Sequence, residues 1–304
     1  MTLEQILADL KTDKVKKVII DSDTYNEMDD QFAIAYALAC DKIDLLAIHA
    51  APFYNKRSES YADGMEKSYE EIMRVLDVTG KTGVCPVFKG STQRISDTPD
   101  FGPVDSPAAR NLIDTAMSSD EIIYVLAIGA ITNVASAIMM EPAIKDKICV
   151  VWLGGNCLEH PDLYEFNLEN DFRAGQILLN SGVNLILLPA MGEADHGTKA
   201  LVTRRDGLMQ IKGDSRACVF FRETLPEEFN GDYYEDGWKR IIWDIAAPAV
   251  INVNDAFDFS IIPAPVFGDD YTYAFDATRH KIIYMEKLNP ERVFADTYAG
   301  ISKL

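Results

Sequence analysis

The chain has 304 residues, 48% of them hydrophobic, a formal charge of -19 and a pI near 4.6. That is enough apolar content to bury a full core, whereas nucleic acid and anionic membrane both call for a basic face that this composition lacks. The five cysteines (Cys40, Cys85, Cys149, Cys157 and Cys218) are scattered without a C-x-x-C pair, so reduced core thiols are expected. The amino-terminal stretch lacks the basic segment and apolar run of a signal peptide, and no run reaches membrane-spanning length, so a cytoplasmic protein is expected.

Taken in chain order, short apolar runs predict strands at Val15–Ile20, Leu45–Ala50, Val84–Phe88, Ile122–Ile128, Ile148–Leu153 and Leu185–Pro189. Helical patterns fall between them at Asp30–Ala39, Ser60–Leu76, Ile131–Met140 and Phe172–Ser181. Such alternation predicts an α/β fold with a mostly parallel open sheet flanked by helices. Ligand sites in such sheets collect beyond the carboxyl ends of the strands. The polar residues sit there: an acidic cluster follows the first strand, Ala51–Asn55 the second, Gly129–Asn133 the fourth and Gly154–Asn156 the fifth, with Glu165 and Asn167 further on.

The acidic cluster carries the chemistry. Asp21, Asp23, Glu27, Asp29 and Asp30 crowd one short segment between a buried strand and a helix. Asp21 and Asp23 share one face of an extended chain, and Asp29 and Asp30 sit where a helix dipole favours negative charge. Without a cation the repulsion is costly, and oxygen-only ligands select calcium or magnesium over zinc. An EF-hand loop is excluded, because Tyr25 and Phe32 fall at positions that require ligands.

Four motifs in order resemble the inosine-uridine nucleoside hydrolase family: Asp21-Ser22-Asp23 with Asp29-Asp30; Leu126–Val134 continuing to Gly155; Glu165-Phe166-Asn167 with Asp171; and Trp243-Asp244 before a helix. The resemblance implies a single nucleoside hydrolase domain over residues 1–304 that cleaves the N-glycosidic bond of a ribonucleoside to free base and ribose. It implies Ca²⁺ held by Asp23, Asp30, Asp244 and the backbone carbonyl of Ile128, with Asp23 as general base. Asp29, Asn55, Glu165, Asn167 and Asp244 would bind the ribose, so deoxyribonucleosides should be poor substrates. A homodimer or homotetramer is implied as well.

Four departures from the family pattern qualify those implications. The segment Thr24–Met28 is two residues longer than usual, and Ile128 stands where many members have Thr. The Asn156–Tyr164 loop is short, leaving the family's ribose-contacting Asn without a clear counterpart, with Asn156 as a candidate. Trp243 replaces the His that serves pyrimidine-tolerant members as leaving-group acid; an indole donates no useful proton but can stack on a purine. Trp243 is therefore assigned a catalytic, purine-stacking role or, equally, a place in the core, with Tyr233, Tyr234 or Trp238 as stacking partners. His49 and His280 read as structural, His160 as a surface residue within reach of a substrate, and His196 as a rim or core residue. Two other classes stay open. A magnesium-dependent haloacid dehalogenase-type phosphohydrolase would use Asp21-Ser22-Asp23-Thr24 with Gly268-Asp269-Asp270, although its threonine stands one place early. A non-catalytic nucleoside or ribose sensor of the same fold would bind without turnover.

Overall fold

A computed structural model describes residues 1–193 and 196–304. The first part of the chain runs α1 (Leu3–Leu10), β1 (Lys16–Ser22), α2 (Asp29–Ala39), β2 (Ile43–Ala50), α3 (Tyr61–Val78), β3 (Val87–Lys89), α4 (Pro107–Ser118), β4 (Ile123–Ala127), α5 (Thr132–Met140), β5 (Ile148–Leu153), α6 (Phe166–Asn170), α7 (Phe172–Ser181) and β6 (Asn184–Leu188). The rest runs β7 (Val202–Arg204), α8 (Arg205–Leu208), α9 (Arg216–Val219), a π-helical turn (Phe220–Thr224), α10 (Leu225–Asn230), β8 (Lys239–Ile241), α11 (Ala246–Asn252), β9 (Phe257–Pro263), β10 (Val266–Phe267), β11 (Tyr273–Ala274), β12 (Lys281–Leu288) and α12 (Pro290–Ile301).

Local chemistry sets most helix starts. Thr2 and Gln5 close a capping box on α1, the Ser60 hydroxyl accepts from the Asp63 amide, and Ser106 and Asn289 cap helices that open on proline. By contrast α2 has no side-chain cap and opens directly on two buried aspartates. Its remaining residues, Phe32 to Ala37, are apolar or aromatic and buried, so the helix lies inside the protein rather than on its surface.

The central sheet has eight strands in the order β3-β2-β1-β4-β5-β6-β12-β9, all parallel except the β12–β9 pair. Alternate residues of each strand face opposite cores. Val18, Ile20, Tyr124, Leu126 and Val151 pack with α2 and α11, whereas Ile19, Val125, Val150 and Trp152 pack with α5 and α7. From β1 the chain moves outward to β2 and β3, then returns to the other side of β1 with β4. The switch point of the sheet therefore lies between the carboxyl ends of β1 and β4, where a crevice opens.

The predicted α/β sheet is present, with shifted ends. Val15 and Val84 are exposed and precede their strands, and β3 is reduced to Val87–Lys89. The pair β9 and β12 extends the sheet beyond the six predicted strands. Among the described residues no helix is long and apolar enough to cross a membrane, and all five cysteines are buried and free.

Candidate active site

The sheet delivers its carboxylates to the switch point. Asp21 pairs with Ala127 across β1 and β4, and the Ile128 amide donates to the Asp21 carbonyl at 2.8 Å, which fixes the two strand ends side by side. Asp23 follows on β1, fully buried. Gly129 leaves room for it, since a Cβ there would stand 3.0 Å from its carboxyl carbon. Asp29 and Asp30 open α2, and Asp244 arrives from the turn that leads into α11. One oxygen each of Asp29, Asp30 and Asp244 lie within 4.8 Å of one another.

A hydrogen-bond account shows what the cluster lacks. Asp30 accepts from the Ser22 hydroxyl at 2.6 Å through one oxygen, and Asp21 accepts from the Asn133 amide at 2.8 Å through one. The second oxygen of each, and both oxygens of Asp23, are buried without a partner. Burial raises all of Asp23, Asp29, Asp30 and Asp244 well above the usual carboxylate range, and their mutual repulsion adds to the effect. Asp21 is pushed up to about 7 by burial alone, against the Asn133 bond. Unsatisfied buried carboxylate oxygens cost several kcal/mol each unless charge reaches them. An all-oxygen donor set of this kind fits a hard divalent cation.

Above the cluster lies a cavity of about 630 Å³. Asp29, Asp244 and Ile128 line its floor, with Asn26 and Asn55 beside them; Leu153, Glu165 and Asn167 form the β5 side, and Tyr164, Phe166, Phe229 and Trp243 supply aromatic walls. Glu165 is not free for a ligand in the way its composition suggests. Its carboxylate caps α6, accepting from the amides of Asn167, Leu168 and Gly155 at 2.9 Å each. Burial nevertheless raises its pKa to about 7. The Asn167 side chain donates to the Leu153 carbonyl at 3.0 Å, and Asn55 donates to the Asn26 carbonyl at 3.3 Å.

The structure thus brings Asp29, Asn55, Ile128, Glu165, Asn167, Trp243 and Asp244 to one cavity, with Asp23 and Asp30 buried beneath it. It places Asp29, not Asp23, in the tight triad with Asp30 and Asp244. Trp243 lines the cavity while also packing on the core. Other expectations are corrected. Asn156 is buried and spent on the loop, donating to the carbonyls of Asp162 and Tyr164 and accepting from the Met191 amide. Tyr233 and Trp238 are buried edge-to-face against each other at 4.9 Å, and Tyr234 points to solvent, so none of the three can stack on a ligand there. His160 bonds the Asp162 carbonyl and His196 pairs with Glu159, both away from the cavity. His49 is buried against Asn111, as a structural residue should be. Gly268-Asp269-Asp270 lies beyond β10, where Asp269 accepts from Gln176 and Asp270 from Thr272; it contributes nothing to the Asp21–Asp23 site, so the phosphohydrolase layout is absent.

Several contributors were invisible in the motifs. Phe229, Lys56, Arg57 and Arg240 line the cavity. Ser22 and Asn133 orient Asp30 and Asp21 from behind, and Asn133 is itself held by the Ser91 amide and hydroxyl at 2.7 and 2.8 Å. Lys56 and Arg57 follow the Asn55 motif and Arg240 precedes Trp243 by three, so proximity to recognised motifs was the one signal available.

Comparison with known proteins fits this geometry. Residues 18–260 match the model of the family described as inosine-uridine preferring nucleoside hydrolase. The chain is 28% identical over 196 residues to the pyrimidine-specific ribonucleoside hydrolase RihB of Escherichia coli, covering 57% of this chain and 59% of that one. It therefore spans under two thirds of the length of the curated relatives it matches. An inosine-uridine preferring nucleoside hydrolase from Bacillus anthracis superposes with a TM-score of 0.69 at 18% identity, over 95% of this chain and 100% of that one. A purine-preferring ribonucleoside hydrolase from Gardnerella vaginalis gives 0.69 at 20% identity, over 95% and 98%. The chain belongs to the inosine-uridine preferring nucleoside hydrolase family.

Proposed function

We propose that this family member hydrolyses the N-glycosidic bond of ribonucleosides, with a preference for purines, and uses a calcium ion held by Asp23, Asp30, Asp244 and the Ile128 carbonyl. The observation that carries the reading is the set of buried, unpartnered carboxylate oxygens beneath a cavity of nucleoside size. A calcium ion held by these residues would supply positive charge that acidifies a water and attracts the ribose hydroxyls. Asp23, with both oxygens uncommitted, takes the proton of the attacking water as its oxygen bonds to C1′. The C1′–N bond breaks with its electron pair going to the base, through an oxocarbenium-like transition state that the floor carboxylates favour electrostatically.

Binding falls to the residues on the cavity floor and β5 side. Asp29 and Asp244 accept from ribose hydroxyls, and Asn55 and Asn167 present amides to the sugar. Glu165 fixes the Gly155 turn and α6 so that Asn167 is presented, and its cavity-facing edge remains available to a sugar hydroxyl. Trp243 offers its face to the leaving base, and Tyr164, Phe166 and Phe229 provide further apolar area that suits a two-ring base. The relatives are named for opposite preferences, one pyrimidine-specific and one purine-preferring, so the purine reading rests on Trp243.

Residues 1–304 are read as one domain, because strands from both ends of the chain share one sheet. Five free thiols suit the reducing cytoplasm, and a homodimer or homotetramer is proposed, which light scattering would check. The test of function is release of reducing sugar from inosine, adenosine, guanosine, uridine and cytidine, with added calcium and after chelation. Calcium-dependent release, faster from purines, is expected. Binding without release would make the protein a sensor, and release indifferent to chelation would remove the cation from the mechanism.

A further inference from the structure

Three cations on the cavity wall have no role in the chemistry described above. Lys56 and Arg57 follow Asn55 directly, and Arg240 stands on β8 three residues before Trp243. Arg240 is already paired with Asp232 at 2.9 Å. Yet neither Lys56 nor Arg57 forms an ion pair with any described residue. Arg57 is held in place by other means: its guanidinium donates to the Phe229 carbonyl at 2.7 Å and lies over the rings of Phe229 and Tyr25 at 4.3 and 5.8 Å. A guanidinium fixed on aromatic faces keeps its full charge and its remaining N–H donors.

The carboxylates lining the same cavity are mostly gathered elsewhere. Asp29 and Asp244 belong to the floor, and Glu165 and Glu169 to α6 and its cap. Among the lining carboxylates, Glu27 lies in the field of Lys56, Arg57 and Arg240. A neutral sugar and a neutral base give this wall nothing to neutralise, whereas an anion entering the cavity would meet the exposed Lys56 and the half-buried Arg57 and Arg240, an attraction that salt screens.

We propose that the substrate carries an anionic group outside the ribose diol, seated by Lys56 and Arg57 with Arg240 contributing. This rests on the ribonucleoside hydrolase reading and narrows its substrate class. The group has two chemical sources: a phosphate on the ribose 5′-oxygen, or a base acidic enough to be ionised near neutrality. In the second case the base takes the C1′–N electron pair as it leaves and its charge grows from −1 to −2, a charge that Lys56 and Arg57 would hold; water oxygen bonds to C1′, Asp23 takes the water proton, and solvent protonates the released base.

The test compares kcat/KM for inosine, inosine 5′-monophosphate and xanthosine, whose base is acidic, with added calcium at low and high ionic strength. One of the two anionic compounds should exceed inosine by about tenfold at low salt, and which one does so identifies the source. The preference should shrink severalfold at high salt and in Lys56→Gln, and return in Lys56→Arg. Equal values for all three compounds, or a preference that Lys56→Gln leaves intact, overturn the proposal while leaving the hydrolase reading standing. If no compound releases sugar, the hydrolase reading fails, and calorimetry with the same three decides this proposal: an anionic compound must bind about tenfold tighter than inosine, and equal affinities overturn it.

Discussion

Two groups of buried carboxylates lie within the same fold, and they are built in opposite ways. Glu165 and Asp171 are surrounded by donors. Glu165 accepts from three amides, and Asp171 from the amides of Ile95, Ser96 and Ala174 and the hydroxyls of Ser96 and Thr132. Asp23, Asp29, Asp30 and Asp244 face each other instead, with Asp23 given no donor and Asp30 only one. Both groups are equally hidden from water, so burial does not separate them. What separates them is whether the protein supplies the compensating positive charge or leaves it to a ligand. Satisfied carboxylates hold loops in place, and unsatisfied ones await a cation.

Substitutions in each group should therefore fail differently. The largest effect is expected at Asp23→Ala: turnover of inosine should fall by at least about a thousandfold with the far-ultraviolet dichroism unchanged. Near-full activity in a folded, calcium-loaded variant would sink the assignment of the base. Asp171→Ala should act on stability, costing about 3 kcal/mol because several buried donors lose their acceptor. Its stabilisation by added calcium should match that of the unsubstituted protein, and a lost calcium response would merge the two groups.

The third prediction uses pH. Burial holds the four cluster aspartates above their ordinary range, so the metal-free folded state keeps protons that the unfolded chain releases. For raised carboxylates, stability is fully present below the unfolded value of about 4 and is lost as pH rises through the folded values. In chelator the melting temperature should decline as pH rises from about 4 to neutrality, and calcium at a hundred times its Kd should restore about 2.7 kcal/mol at neutral pH. A chelated protein whose melting point holds steady or climbs over that interval would mean the cluster is not strained. The smallest effect is at Trp243→His, where the pyrimidine-to-purine rate ratio should rise severalfold; an unchanged ratio would make the indole a packing residue.

How far the sequence could be read follows from where each signal lies. The parallel strands were legible because each is a continuous apolar run, such as Ile148–Leu153, buried on both faces. The antiparallel pair was not. Phe257–Pro263 is mostly half-exposed, and Lys281–Leu288 joins β6 only after a long excursion of chain that no local pattern encodes. The helices Pro107–Ser118 and Pro290–Ile301 did carry readable starts, in Ser106-Pro107 and Asn289-Pro290. Asp23, Asp29, Asp30 and Asp244 were legible as a donor set because their spacing after strands and before helices is local. Which of them touch was not, because the approach of Asp244 to Asp29 depends on how α11 packs on α2. Loop direction decided the remaining errors: Asn156 and Trp238 have suitable chemistry but turn inward to bond the loop and to pack against Tyr233.

Asp30 and Asp244 are separated by more than two hundred residues of chain, and this spacing bears on how the protein is made. As the chain leaves the ribosome, β1 and α2 emerge early, bearing three of the four acids with no means of completing the set. A ligand that needs Asp244 would bind only after α11 has been synthesised and has settled against α2. Its uptake would then act as a staple across a loop of more than two hundred residues, offsetting the entropy lost in closing it. Arrested or truncated chains that stop short of residue 244 should remain unable to respond to calcium, so metal capture would report completed synthesis as well as a completed site.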